Sequence, residues 1–112
     1  METTRQKKVS RLVQRELADH FLKNGRDYCH GQMISVTIVR VTPDLSLAKA
    51  YLSVYPTENT EQVLINIKES AGKIRYEMGQ KVRNQLRIVP EIHFYIDDSL
   101  DYIDNIDKLL NT

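Results

Sequence analysis

The sequence predicts a single α+β domain, and three observations carry that expectation. Val9, Val13, Leu17 and Phe21 stand four apart near the amino terminus, residues 33–41 and 48–54 are β-branched or alternating, and a long helical pattern after Asn59 gives way at Pro90 to a short alternating segment. Apolar residues recurring at i+4 share one helix face, whereas strict alternation marks a strand with one buried face. The expected order is helix, strand, strand, kinked helix, strand, helix, with a three-stranded sheet carrying its helices on one face.

In the first helix the i+4 row is supported by Leu12 and Leu22, and Asn24-Gly25 supplies a C-terminal stop. Residues from Met33 to Val41 form the first strand. In the second, Ala48, Ala50, Leu52 and Val54 alternate with Lys49, Tyr51, Ser53 and Tyr55, and Pro56 ends it. Thr42-Pro43-Asp44 between them has turn chemistry, so an antiparallel pair is the simplest arrangement. Asn59 with Gln62 resembles a capping pair that opens the long helical pattern, in which Ile67, Ala71, Ile74, Met78, Val82 and Leu86 keep helical spacing. That pattern is longer than most globular helices. Glycine lowers helix stability by roughly 1 kcal/mol relative to alanine, so Gly72, flanked by Ser70 and Ala71, is the expected kink. Ile92, Phe94 and Ile96 then alternate with His93, Tyr95 and Asp97 in a third strand. Ser99 caps a last helix, with Asp101 and Asp104 at its positive end, Lys108 at its negative end, and Ile103, Ile106 and Leu110 as its packing stripe.

With 112 residues, 41% hydrophobic and 28% charged, residues 1–112 fit one domain large enough to need no covalent staple. Cys29 is the single cysteine, which excludes an internal disulfide. No leader-like segment and no apolar run approaching the roughly 20 residues of a membrane span is present, so a cytoplasmic protein is expected. The net charge of +1 hides an asymmetry: residues 1–87 hold 15 Lys/Arg against 9 Asp/Glu, and residues 88–112 hold 1 against 6. Such a division suits a polyanion-binding body with an acidic end facing away, although solvated surface explains it as well.

The cationic candidates are Arg5, Lys7, Lys8, Arg11 and Arg15 on the first helix, Lys49 on the second strand, and Lys73, Arg75, Lys81, Arg83 and Arg87 along the kinked helix. Lys73, Tyr76, Gln80, Arg83 and Arg87 fall opposite the apolar row. Tyr76, and Tyr51 and Tyr55 beside Lys49, have the chemistry to stack on unpaired bases or simply to cover apolar surface. Other constellations are set aside. Asp97-Asp98-Ser99-Leu100-Asp101 has the spacing of a magnesium-binding aspartate motif, but it ends a strand and starts a short helix, where acids serve as caps. Cys29-His30 has no second pair at zinc spacing, and His20 and His93 face no nucleophile. No metal, cofactor, small-molecule substrate or membrane contact is expected.

Four motifs give the chain a specific likeness: Val9-x-x-x-Val13-x-x-Glu16-Leu17, Asp44-Leu45-x-x-Ala48 leading to Tyr51-x-Ser53, Gly72-x-Ile74-Arg75, and Arg87-x-x-Pro90-Glu91-Ile92-x-Phe94-x-x-Asp97-x-Ser99. Together they resemble the ribosome-binding factor A family over nearly the whole chain. The resemblance implies a type II KH-like fold and a non-catalytic assembly factor, monomeric off the ribosome. It also implies binding to free 30S subunits near the decoding region and the 5′-terminal helix of 16S rRNA, during late maturation and cold adaptation. The family places a helix kink where ordinary KH domains carry Gly-x-x-Gly, and this chain has no such loop, so four-nucleotide reading is not expected. It departs in having Ser70 where alanine is usual, and contacts that other members make through a longer C-terminal tail are not carried over. Phosphate contacts would then fall on the cations named above, including Lys49. A protein-interaction adaptor of the same fold, meeting an acidic partner, is the alternative.

Overall fold

A computed structural model describes residues 3–29, 31–55 and 59–97. Helix α1 (Thr4–Asn24) begins on a reciprocal cap, in which Thr3 Oγ1 accepts from the Gln6 amide at 3.1 Å and Gln6 Oε1 accepts from the Thr3 amide at 2.8 Å. Its row Val9, Val13, Leu17 and Phe21 is buried. Leu22, expected to support that row, is 84% exposed, because at about 100° per residue it points almost opposite the row's centre. A short 3-10 turn (Gly25–Asp27) follows α1.

Strands β1 (Met33–Val41) and β2 (Leu47–Tyr55) pair antiparallel. Val36 lies opposite Leu52 and Ile38 opposite Tyr51, so Thr37 is an extra residue that breaks the alternation. Inward positions pass from Ile34 and Val36 to Val39 and Val41, and Ile38 is left on the outer face. Asp44 closes the connecting turn by accepting at Oδ1 from Thr42 Oγ1 (2.7 Å), Ser46 Oγ (2.8 Å) and the Ser46 amide (3.1 Å).

The long helical segment is two helices, α2 (Thr60–Glu69) and α3 (Ala71–Val82). The interruption falls at Ser70, not at Gly72: Ser70 sits at φ −99°, ψ 8°, and its amide turns back to the Ile67 carbonyl at 3.0 Å. Ala71 opens α3 and Gly72 lies in its first turn with open space around it. The break lets α2 lie over the third strand while α3 turns to meet α1. Asn59 precedes α2 but takes a left-handed conformation (φ 59°) and makes no side-chain cap, and Gln62 instead bonds Asn66. Helix α3 stops at Val82, so Arg83 is its C-cap, while Leu86 and Arg87 lie in the following loop rather than on a helical face. Leu86 continues the apolar row from that loop by packing on the core.

Strand β3 (Glu91–Ile96) runs parallel to β2, from Leu47 opposite Glu91 to Leu52 opposite Ile96, in a sheet ordered β1-β2-β3. Ala48, Ala50 and Leu52 of the central strand are fully covered by helices lying on one face. The α+β class, the three strands and the one-sided helices are as expected. The last helix expected after Ser99, with Asp98 and Asp101, lies outside the described residues.

Where α1 meets α3, His20 is buried among Phe21 and Tyr28. Its Nε2 lies 2.8 Å from Tyr28 Oη and its Nδ1 3.3 Å from Glu77 Oε2. The neutral tautomer with the proton on Nδ1 satisfies all three groups: Nδ1–H donates to Glu77 and Nε2 accepts from the tyrosine hydroxyl. Burial lowers the His20 pKa against the opposing pull of Glu77, and burial pushes Tyr28 up to about 12.

Two measurements check these assignments. Gly72→Ala should raise the unfolding free energy by about 0.5 kcal/mol in urea titration, because the position is helical and roomy. Gly79→Ala should gain less, since a Cβ there would stand 3.3 Å from Val89 Cγ2. The second concerns pH. Because His20 has a folded pKa below its unfolded value of 6.5, its contribution is complete above about pH 6.5 and declines as pH falls below that. Asp19 and Asp44, lowered from 3.8, lose theirs only under more acid conditions. Stability should therefore drop as pH falls below about 6.5, and His20→Phe should flatten that part of the curve.

Candidate nucleic-acid interface

Three parts of the chain meet at one end of the sheet. Gln6 Nε2 donates to the Val41 carbonyl at 2.9 Å, holding the start of α1 beside the end of β1. The Glu91 amide donates to the Ser46 carbonyl at 2.9 Å, holding the loop before β3 beside the β1–β2 turn. Between them lies an open cleft of about 590 Å³. Arg5, Lys8, Arg11 and Arg15 line it from α1, and Arg87 faces them from the loop. Leu12, Leu45, Leu86 and Ile88 give it an apolar wall.

The balance of charge in the cleft is one-sided. Asp44 is its only lining carboxylate among the described residues, and Oδ1 of that group is taken up by the turn; the Thr42 hydroxyl, then Ser46, hold its pKa below the usual carboxylate value. Arg15 reaches Glu16 at 3.7 Å, a loose pair in which the arginine side chain is exposed. The first turn of α1 holds no acid, and the cations there oppose the helix dipole, which favours anions at that end. Each such placement works against helix stability by a few tenths of a kcal/mol. An anion in the cleft would be received by both the dipole and the side chains.

The other sequence-derived candidates are spread over different faces. Lys7 is exposed on α1 outside the cleft lining. Lys49 alternates with buried Ala48 and Ala50, so it stands on the outer sheet face, away from the helices. Lys73 and Tyr76 are exposed on α3, and Arg75 Nη2 donates to the Val89 carbonyl at 2.8 Å. Lys81 is paired with Asp19 at 3.2 Å, and the same carboxylate oxygen holds Lys23 at 3.1 Å, which lowers the Asp19 pKa. Arg83 is exposed at the end of α3. Tyr51 stacks on Tyr95 across β2 and β3, with centroids 5.4 Å apart, so one of its ring faces is already covered. The cationic candidates of the two helices thus divide into a cleft on α1 and Arg87 and a separate, partly neutralised set on α3. Leu45 was marked only as part of the Asp44-Leu45-x-x-Ala48 motif, and Ile88 was not marked at all. The available signal was an apolar residue beside arginine in a loop, Arg87-Ile88.

Solved structures share this architecture. A crystal structure of ribosome-binding factor A from Thermus thermophilus superposes with a TM-score of 0.65 at 19% identity, covering 81% of this chain and 94% of that one. A Thermus thermophilus ribosome-binding factor A homology model, fitted into the cryo-EM map of a 30S complex, superposes with a TM-score of 0.58 at 20% identity, covering 78% and 89%. Fold and cleft together define the class: a type II KH-like α+β domain with a strongly cationic recess at one end of its sheet. The chain belongs to the ribosome-binding factor A family, whose model matches residues 5–110. It is 49% identical over 108 residues to ribosome-binding factor A of Christiangramia forsetii, covering 96% of this chain and 82% of that protein. Over 111 residues it is 45% identical to the Cytophaga hutchinsonii protein of the same name, covering 99% and 84%.

Proposed function

We propose that this chain binds free 30S ribosomal subunits and assists late maturation of 16S rRNA as a binding factor without chemistry of its own. The observation that carries the reading is the convergence of Arg5, Lys8, Arg11, Arg15 and Arg87, from distant parts of the sequence, on one cleft. Five cations against one carboxylate suit a phosphate backbone, whose contacts set affinity and position without reading sequence. Family membership supports the same reading, as does the placement of the Thermus thermophilus protein in a 30S complex. The 5′-terminal helix region is the part of the rRNA that this reading assigns to the cleft. Lys73, Arg75, Tyr76 and Arg83 on α3 form a second, weaker contact group, with Lys49, Lys7 and Lys81 outside the primary one. By preferring one rRNA arrangement the factor shifts its population, to the extent that its affinities for the arrangements differ. It acts in the cytoplasm and as a monomer.

Co-sedimentation with small subunits, large subunits and whole ribosomes at two salt concentrations tests the reading. Binding to small subunits should dominate and fall steeply with salt, and Arg11→Gln or Arg87→Gln should each reduce the slope of log K against log salt by about one. Equal pelleting with all three particles, or binding that ignores salt, would contradict it. An adaptor for an acidic protein would pellet with none of them once ribosomal proteins are removed from the RNA.

A further inference from the structure

We propose that the cleft takes one unpaired nucleotide of a single-stranded RNA segment, its base on the apolar wall of Leu12, Leu45 and Ile88 and its flanking phosphates on Arg5, Arg11 and Arg87. The inference rests on the rRNA-binding reading and deepens it.

Phosphate binding requires charge and nothing else, so a cleft built only for a duplex backbone has no use for an apolar wall. A duplex keeps its bases stacked inside and presents phosphates outward, which would leave that wall wet. An unpaired base satisfies both halves of the lining. The volume of about 590 Å³ lies within the roughly 300–1,000 Å³ of recesses that enclose a small ligand. Arginine also serves both halves, because its guanidinium pairs with phosphate along its edge and stacks on a base with its face.

One lining residue stands where core packing would not put it, and another holds a backbone conformation that works against folding. Ile88 is 66% exposed and takes no part in the packing that its neighbours Leu86 and Val89 make with the core. Leu45 packs partly on the core, but it sits at φ 62°, in the left-handed region that favours glycine or asparagine, and it also lines the cleft. Local choices that work against folding are the ones that function retains. The recess beside the 3-10 turn, about 580 Å³, has Arg26 as its only lining cation among the described residues, with Asp27 in the same lining. The groove between α1 and α3 is smaller, about 290 Å³, and its lysine is already paired with Asp19.

The test compares a short oligoribonucleotide carrying 2-aminopurine with a blunt hairpin holding the same number of phosphates, using the full chain, Ile88→Ser and Arg87→Gln. The single strand should bind about fivefold more tightly than the hairpin, with a change in 2-aminopurine emission. Ile88→Ser should lose about fivefold for the single strand only, at an unchanged salt slope, whereas Arg87→Gln should weaken both RNAs and reduce the slope. The serine substitution is on the surface, and an unchanged thermal melt confirms that the fold is kept. Equal binding of both RNAs with no effect of Ile88→Ser overturns the nucleotide subsite while leaving salt-dependent rRNA binding in place. Absence of salt-dependent binding to either RNA overturns both readings, and an acidic peptide binding more tightly than the single strand overturns the subsite.

Discussion

Parallel pairing of β3 with β2 is the constraint on which the rest depends. A parallel neighbour demands a crossover, and here α2 and α3 supply it, carrying the chain from the far end of β2 back to the end where β2 began. The return delivers the loop of residues 83–90 beside the β1–β2 turn, where the Glu91 amide bonds the Ser46 carbonyl. Pro90, fully buried and lacking an amide to leave unpaired, makes the entry into an edge strand. Without that register, Arg87 would have no reason to face Arg11. The small central residues Ala48 and Ala50 are part of the same solution, because they let α1 and the crossover helices lie close on one face of a narrow sheet.

How much of this was legible in the sequence depends on whether the signal was local. The rows in α1, α2 and α3 and the alternation in β2 and β3 are local, and they placed the elements. Thr37 shows the limit. Ser35-Val36-Thr37-Ile38-Val39 reads as unbroken strand, and only the partner strand decides that two residues oppose one there. Ser70 shows another. Propensity singled out glycine, yet the break is set by two helices needing different partners, α2 on β3 and α3 on α1, so it falls between the rows they bury. Leu86 kept helical spacing after the helix had ended, because a loop residue can fill the same core position. The acidic spacing of Asp97 to Asp101 runs past the last described residue.

The cations divide along the same line. Each was visible as a residue type, but composition cannot say which of them meet. Lys49 is separated from the cleft by strand alternation alone, Lys81 by a neighbouring acid on α1, and Arg75 by a carbonyl within reach. What remains together is a set with little compensation from acids among the described residues: Arg5, Lys8, Arg11 and the loosely paired Arg15 on α1, and Arg87 on the loop opposite. Charge left uncompensated at a helix end that disfavours it is a stronger pointer to an anionic partner than the chain's overall balance of +1.

The two ends of α1 therefore solve opposite problems. Toward its C-terminus the helix meets α3 through His20, Glu77, Asp19 and Lys81, where polar groups answer one another and the imidazole is kept neutral by burial. Toward its N-terminus it packs on β1 beside a turn and a loop, where Arg5, Lys8 and Arg11 pair with no acid among the described residues and the apolar wall beside them is partly open. A helix anchored at one end can hold the other rigid, since the reciprocal cap of Thr3 and Gln6 and the bond from Gln6 to Val41 fix the first turn without neutralising it. Rigidity matters for a site built on arginines and lysines, whose long side chains lose freedom on binding; a backbone already in place removes one part of that entropic opposition. Stability is concentrated where the surface is satisfied, and the unsatisfied end is thereby kept in shape for a ligand.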